Sequence, residues 1–271
     1  MGADCHVRIV GADDLVWAQD EVRRLEALWT RFADSELTSL NTSAREVDPD
    51  TRLLVERAVQ GFDLTGGLFN PFLTDQIEAA GYDRDFDEIE MAPVRGASPG
   101  VRPTVTIDGD RVASSLPVDS GGIGKGLAAD LVSTRLLQRG ALGALVNLGG
   151  DLRCVGQSPG DRWNITIETP VPVAEQLAIK LTDGAVCTST PLLRRWRRED
   201  GEQMHHLLDP RTGVPMRTSV GSVSVIARQA WLAEVLTKAL LLMPADQAVP
   251  LLREHEAAAL VVSADGTVEQ L

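Results

Sequence analysis

The chain has 271 residues, is 44% apolar and carries a formal net charge of −13. That charge excludes a nucleic-acid or anionic-membrane surface, since both are held by clustered Lys and Arg. No apolar run reaches the ~20 residues of a membrane span. The cysteines Cys5, Cys154 and Cys187 form no CxxC pair, which excludes a structural zinc site and predicts reduced, buried thiols.

The opening segment MGADCHVRIVGADD has neither a basic n-region nor an apolar h-region. The expected compartment is therefore the cytoplasm, with an exported or lipid-anchored precursor as the alternative if the N-terminus is trimmed. HVRIV predicts a short strand. From Asp13 to about Phe32 the residues Leu15, Ala18, Val22, Leu25, Leu28, Trp29 and Phe32 recur at three and four, which predicts an amphipathic helix. DTRLLVERAVQGF repeats the pattern, with Asp50 as its N-cap. GGLFNPFL breaks it. GYDRDFDEIEMAPVRGASPG is polar and turn-rich, a surface excursion. PTVTIDGDRVAS predicts a hairpin turning at Asp108-Gly109.

VDSGGIGKGLAAD (Val118–Asp130) follows, with an aspartate near its start and another at its end. Glycines ahead of an Ala-rich apolar run predict a loop turning into a helix, whose unpartnered N–H groups form an anion site. The P-loop pattern fails, because Gly126 follows Gly124-Lys125 where Ser or Thr is required. Gly124, Gly126 and Ala129 fit the dinucleotide fingerprint, yet Pro117 makes the preceding SSLPVDSGG a poor strand. LAADLVSTRLLQRG predicts a helix ended by Gly140. ALVNLGGD, WNITIET, the stretch around Asp183-Gly184 and SVGSVSVIA predict strands. QAWLAEVLTKALLLM predicts a helix, Pro244 starts another, and AALVVSADGTVEQL closes the chain as a hairpin. Helices and strands mix without βαβ alternation, so the expected class is α+β in one domain, 1–271.

Four clusters carry chemistry: Asp119 to Gly126; Asn147, Gly149, Gly150 and Asp151 after an apolar strand; MHHLLDPRTGVP; and Glu234 with Lys238 one helical turn apart. DPRTG is a turn sequence in its own right. Adjacent His205 and His206 in a strand point to opposite faces, so at most one serves a given site. A Glu–Lys pair at i,i+4 is ordinarily a surface pair worth a few tenths of a kcal/mol.

Together, MGADCHV, SELTSLN (Ser35–Asn41), GGLFNP, VDSGGIGKGLAAD, ALVNLGGD, HHLLDPRTGVP and AEVLTKAL resemble, in order and across nearly the whole chain, the ApbE family of FAD:protein FMN transferases. The resemblance implies a T-shaped α+β fold. It implies an enzyme that binds FAD and moves FMN onto a threonine of an acceptor flavoprotein, releasing AMP, with Mg2+ bridging the pyrophosphate. It places Met1, Phe69, Asn70, Pro71, Asp119, Lys125, Asn147, Gly149, Gly150, Asp151 and Leu208 on FAD-binding positions. It places His206 and Asp209 at catalytic positions, with His206 as base or orienting group. Gly122 (by its carbonyl), Glu234 and Lys238 fall on metal positions.

Two departures stand out. The family's metal-binding helix supplies a carboxylate and, four residues on, a hydroxyl. Glu234 keeps the charge, but a charged lysine at 238 cannot ligate magnesium. Phe69-Asn70-Pro71-Phe72 replaces F-D-P-T and so loses a carboxylate and a hydroxyl. The alternative implied is an FAD-binding protein with an altered metal site, a flavin carrier or sensor. A third reading, independent of the resemblance, is a Rossmann-like oxidoreductase using Gly124 and Gly126.

Overall fold

The computed structural model describes residues 4–271. The chain folds as two compact units. The sheet unit takes the residues up to Arg24, Ile123–Thr190 and Ser219–Leu271. The loop unit takes Leu25–Gly122 and Pro191–Thr218.

The sheet unit is organised by a seven-stranded sheet. Its strands, in spatial order, are Cys5–Val10, Gly143–Leu148, Asp151–Gly156, Gly184–Ser189, Val220–Ala227, Ala258–Ser263 and Val268–Gln270. Every pairing is antiparallel. That excludes the Rossmann reading, which needs parallel strands joined by crossover helices. Mixed helices and antiparallel strands bear out the α+β class.

Helices Gly124–Gln138 and Ala230–Leu240 pack on this sheet. The two-stranded ribbon Trp163–Ile167/Leu177–Leu181 packs on it too. Strand alternation shows that they lie on opposite faces. Val186 joins the ribbon's Trp163, Ile165 and Ile167 in one apolar cluster. Its neighbour Cys187 points the other way, its Sγ 3.3 Å from the Ala230 carbonyl oxygen. Cys154 and Cys187 are buried and free, whereas Cys5 is exposed on the edge strand, contrary to the expectation for all three. Burial pushes the Cys154 thiol up to about 11, so it stays protonated.

In the loop unit a cluster of Ile77, Tyr82, Ala92, Trp196, Met204 and Leu208 forms the apolar centre. Trp196 donates its ring N–H to the Ala80 carbonyl at 2.9 Å. The polar excursion is mostly exposed, as expected, but it is pinned at Ala92, which exchanges backbone hydrogen bonds with Arg197 and Glu199. The hairpin Val105–Asp108/Arg111–Ser114 forms around Gly109 at φ +56.

Two boundaries differ from expectation. The first helix spans Leu15–Trp29 rather than reaching Phe32, because the Thr30 hydroxyl accepts the Phe32 N–H and turns the chain. The second helix, Pro49–Leu64, is capped by Asp48 and not Asp50. Pro49 takes the first helical position, which needs no N–H, and the Asp48 carboxylate accepts the Asp50 N–H at 2.8 Å. Asp50 lies inside the first turn, buried.

Candidate functional site

The Gly-rich segment becomes the first turn of helix Gly124–Gln138. Gly126 is required there: a Cβ on it would lie 2.4 Å from the Ala230 carbonyl oxygen. The close approach lets two helix N-termini share their polar groups. The Asp130 carboxylate accepts the N–H groups of Ala230 and Trp231, both at 2.9 Å, and so caps helix Ala230–Leu240. In return Glu234 of that helix accepts the Gly126 N–H on Oε2 at 2.8 Å. Asp130 is thus a structural cap.

Around Glu234 four charges converge. Its Oε1 receives Lys125 Nζ at 3.1 Å and Lys238 Nζ at 3.3 Å, while Lys125 also bonds Asp151. The carboxylate side chains are 0% and 2% exposed and the Lys125 and Lys238 side chains 18% and 14%, so the lysine side chains are the more accessible members of a largely buried cluster. This is no surface i,i+4 pair. Burial alone would push the Glu234 carboxyl up; the charges of Lys125 and Lys238 and the Gly126 N–H outweigh it and hold the carboxyl below its ordinary range. Burial lowers Lys125, with Glu234 acting against it.

Asp151 enters this cluster from the turn after strand Gly143–Leu148. Gly149 and Gly150 both have positive φ, +61 and +93, the requirement of a tight two-residue hairpin. The Asn147 side chain accepts the Gly150 N–H at 2.9 Å and fixes the turn. The second Asp151 oxygen, Oδ1, is buried with no hydrogen-bond partner among the described residues.

The loop unit holds the other candidates. Asp119 accepts the Gly121 N–H at 2.7 Å, and its own N–H donates to the Pro71 carbonyl at 2.8 Å, tying its loop to the Phe69-Asn70-Pro71 segment. Asn70 spends its side-chain oxygen on the Phe72 N–H at 2.9 Å, which closes an Asx turn. Phe69 is buried, and Gly122 ends the same loop half-buried. Asp119 also faces Arg31 at 3.6 Å. Arg31 is held by stacking on Phe32 and Tyr82, its guanidinium carbon 4.2 and 4.6 Å from the ring centroids, and by donating to the Tyr82 carbonyl. The sequence reading missed Arg31, which sits where the helix was expected to continue.

The two histidines differ in burial. His205 is buried at the end of strand Gln203–His205; its Nδ1 accepts the Leu207 N–H and its Nε2 donates to the Met216 carbonyl. Both ring nitrogens are spent on backbone, and burial holds its pKa down, so it is a neutral structural residue. His206 is half-buried one residue past the strand. Both oxygens of Asp209 are taken by the Arg211 guanidinium, at 2.8 and 2.7 Å, and Arg211 holds the carboxyl below its usual range. The Asp209 carbonyl closes the turn to Gly213. Leu208 buries its side chain in the apolar cluster, so any ligand contact falls to its backbone. Met1 lies outside the described residues.

A magnesium ion does not fit the Glu234 and Lys238 positions. The ion takes oxygen ligands at about 2.0–2.1 Å in octahedral geometry. Here each Glu234 oxygen already receives a donor, and the partner residue is itself an ammonium. Among the described residues no three His, Cys, Asp or Glu side chains are grouped to hold a metal.

The ApbE family model matches residues 1–261. The chain belongs to the ApbE family. A Treponema pallidum FAD:protein FMN transferase is 32% identical over 252 residues, 82% of this chain and 68% of the relative. A Rhodobacter capsulatus protein of that name is 31% identical over 235 residues, 80% of this chain but only 44% of the relative's length. Among solved structures, the ApbE protein of Thermotoga maritima superposes with TM-score 0.81 at 28% identity, covering 97% of this chain and 93% of that one. The Vibrio cholerae flavin transferase ApbE shares the fold with TM-score 0.77 at 24% identity, over 100% of this chain and 94% of that one.

Proposed function

We infer that this ApbE-family chain is an FAD:protein FMN transferase. It moves FMN from FAD to a threonine hydroxyl of an acceptor flavoprotein. The observation that carries the reading is the pair of ammonium groups held on buried Glu234 and Asp151 beside a helix N-terminus, a seat for a diphosphate. The relatives carrying the transferase name favour transfer over mere flavin carriage.

In the reaction the threonine oxygen attacks the phosphorus of the FMN half of FAD. The new P–O bond forms as the bond to the AMP phosphate breaks, and AMP leaves with the electron pair. We assign Lys125 to a diphosphate oxygen, where its charge opposes the charge developing on the leaving phosphate. The Asn147–Asp151 turn shapes the same pocket wall, and Asp151 keeps the Lys125 ammonium in place. Phe69, Asn70, Pro71, Asp119 and the Leu208 backbone are assigned to the flavin nucleotide, with Arg31 positioning Asp119. His206 takes the proton of the attacking hydroxyl, a task suited to a neutral imidazole near pH 7. Asp209 orders the turn after His206 and is a positioning residue. Among the described residues no helix is long and apolar enough to cross a membrane.

The test is AMP release, followed by chromatography, from FAD mixed with a threonine-bearing acceptor domain and with the same domain carrying valine at that threonine. AMP release only with threonine supports the reading. Release that does not depend on the threonine would show hydrolysis instead of transfer.

A further inference from the structure

Resting on that reading, we propose that Lys238 takes the place of a divalent cation in this chain, so that FAD is received by two ammonium groups without metal. Three observations meet here. Both Glu234 oxygens already receive donors: Lys125 and Lys238 share Oε1, at 3.1 and 3.3 Å, and the Gly126 N–H holds Oε2 at 2.8 Å. The two carboxylates are fully buried, and the lysine side chains that hold them keep some exposure. An anion reaching this cluster through its accessible side meets the lysine side chains, although the four groups sum to zero. Lys238 is also held in place, one turn from Glu234 on the same helix, so its ammonium is already oriented before a ligand arrives.

A metal entering this position would have to expel an ammonium from a buried carboxylate and then sit beside it. The repulsion between a single and a double positive charge at such close range opposes that arrangement. The Lys238 ammonium takes the Glu234 oxygen that a metal would need.

The experiment uses the full chain and two probes besides turnover. FAD affinity is measured by calorimetry in EDTA and in millimolar Mg2+, and Mn2+ binding is followed by its electron paramagnetic resonance signal. The proposal expects equal FAD affinity in EDTA and Mg2+, and a free Mn2+ signal undiminished by the protein. Lys238→Met, checked for an unchanged fold by circular dichroism, should weaken FAD about tenfold in EDTA, and Lys238→Arg should recover most of that loss. Lys238→Thr combined with Glu234→Asp should make FAD affinity Mg2+-dependent. FAD binding to the wild type that tightens tenfold in Mg2+, or Mn2+ captured by the wild type, overturns this proposal while leaving the transferase reading intact. A folded Lys238→Met that binds FAD with unchanged affinity also overturns it. Failure of the wild type to bind FAD under both conditions overturns the flavin reading and this proposal with it.

Discussion

Glu234→Gln removes one charge and almost no volume, so it isolates the electrostatics of the buried cluster. In the native protein Glu234 accepts donors on both oxygens: two ammonium groups on one and the Gly126 N–H on the other. A glutamine can satisfy only one side, because its amide NH2 must then face either the ammonium pair or the Gly126 N–H. The two ammonium groups, both within 3.3 Å of one oxygen, also lose the charge between them. At ~5 Å and an effective dielectric of ~20 their repulsion is about 3 kcal/mol, and breaking a buried ion pair from one side costs ~3–5 kcal/mol. Against a total stability of about 5–15 kcal/mol, that is a large fraction. It corresponds to a fall in Tm of roughly 6–20 °C. The assay is urea and thermal unfolding followed by circular dichroism. The double variant Glu234→Gln with Lys238→Met should be destabilised by less than the two single variants added together, since the second change removes the charge the first left unpaired. A fall below about 1 kcal/mol for Glu234→Gln, or strict additivity in the double variant, would refute the reasoning.

Gly126→Ala should cost about 1–3 kcal/mol by overpacking and weaken FAD, because the new Cβ pushes the start of helix Ala230–Leu240 away from Asp130; unfolding curves and calorimetry check it. His206→Ala should lower transfer by roughly 10²-fold or more with FAD affinity retained, while His205→Ala should act mainly by loss of stability; rate, affinity and Tm of each variant separate the two. On acidification His205, held neutral by burial, begins to cost stability as pH falls through its ordinary value of 6.5. Glu234, with its folded pKa lowered, contributes stability that is fully present above 4.5 and is lost as pH falls through the folded value below that. An acid-unfolding series should therefore lose its lowest-pH limb in Glu234→Gln. FAD should bind more tightly than riboflavin, because only FAD brings a diphosphate to the ammonium pair; equal affinities by calorimetry would contradict this.

Much of the architecture was legible because it depends on local chemistry. The period of apolar residues, Gly140 at a helix end and Gly109 and Gly266 in hairpin turns each act within a few residues. The misread N-cap shows the limit of that approach: Asp48 and Asp50 are equally good acceptors, and only the placement of Pro49 decides between them. The charge cluster was not legible. Lys125 and Glu234 are 109 residues apart, and the i,i+4 spacing of Glu234 and Lys238 looks the same on a buried helix as on an exposed one. The signal that was available was Gly126, which the motif showed as a glycine without showing which backbone comes close to it. Arg31 was hidden by helical periodicity running past the true helix end. Its partners Tyr82 and Asp119 come from distant loops, which no local pattern brings together.

The most direct test of the account is intact-mass spectrometry of an acceptor flavoprotein domain incubated with this protein and FAD in EDTA. The account predicts that the acceptor gains the mass of one FMN through a phosphoester at its threonine, with one AMP released per acceptor. FAD bound tightly by the protein, with the acceptor mass unchanged both in EDTA and after magnesium is added, would contradict it.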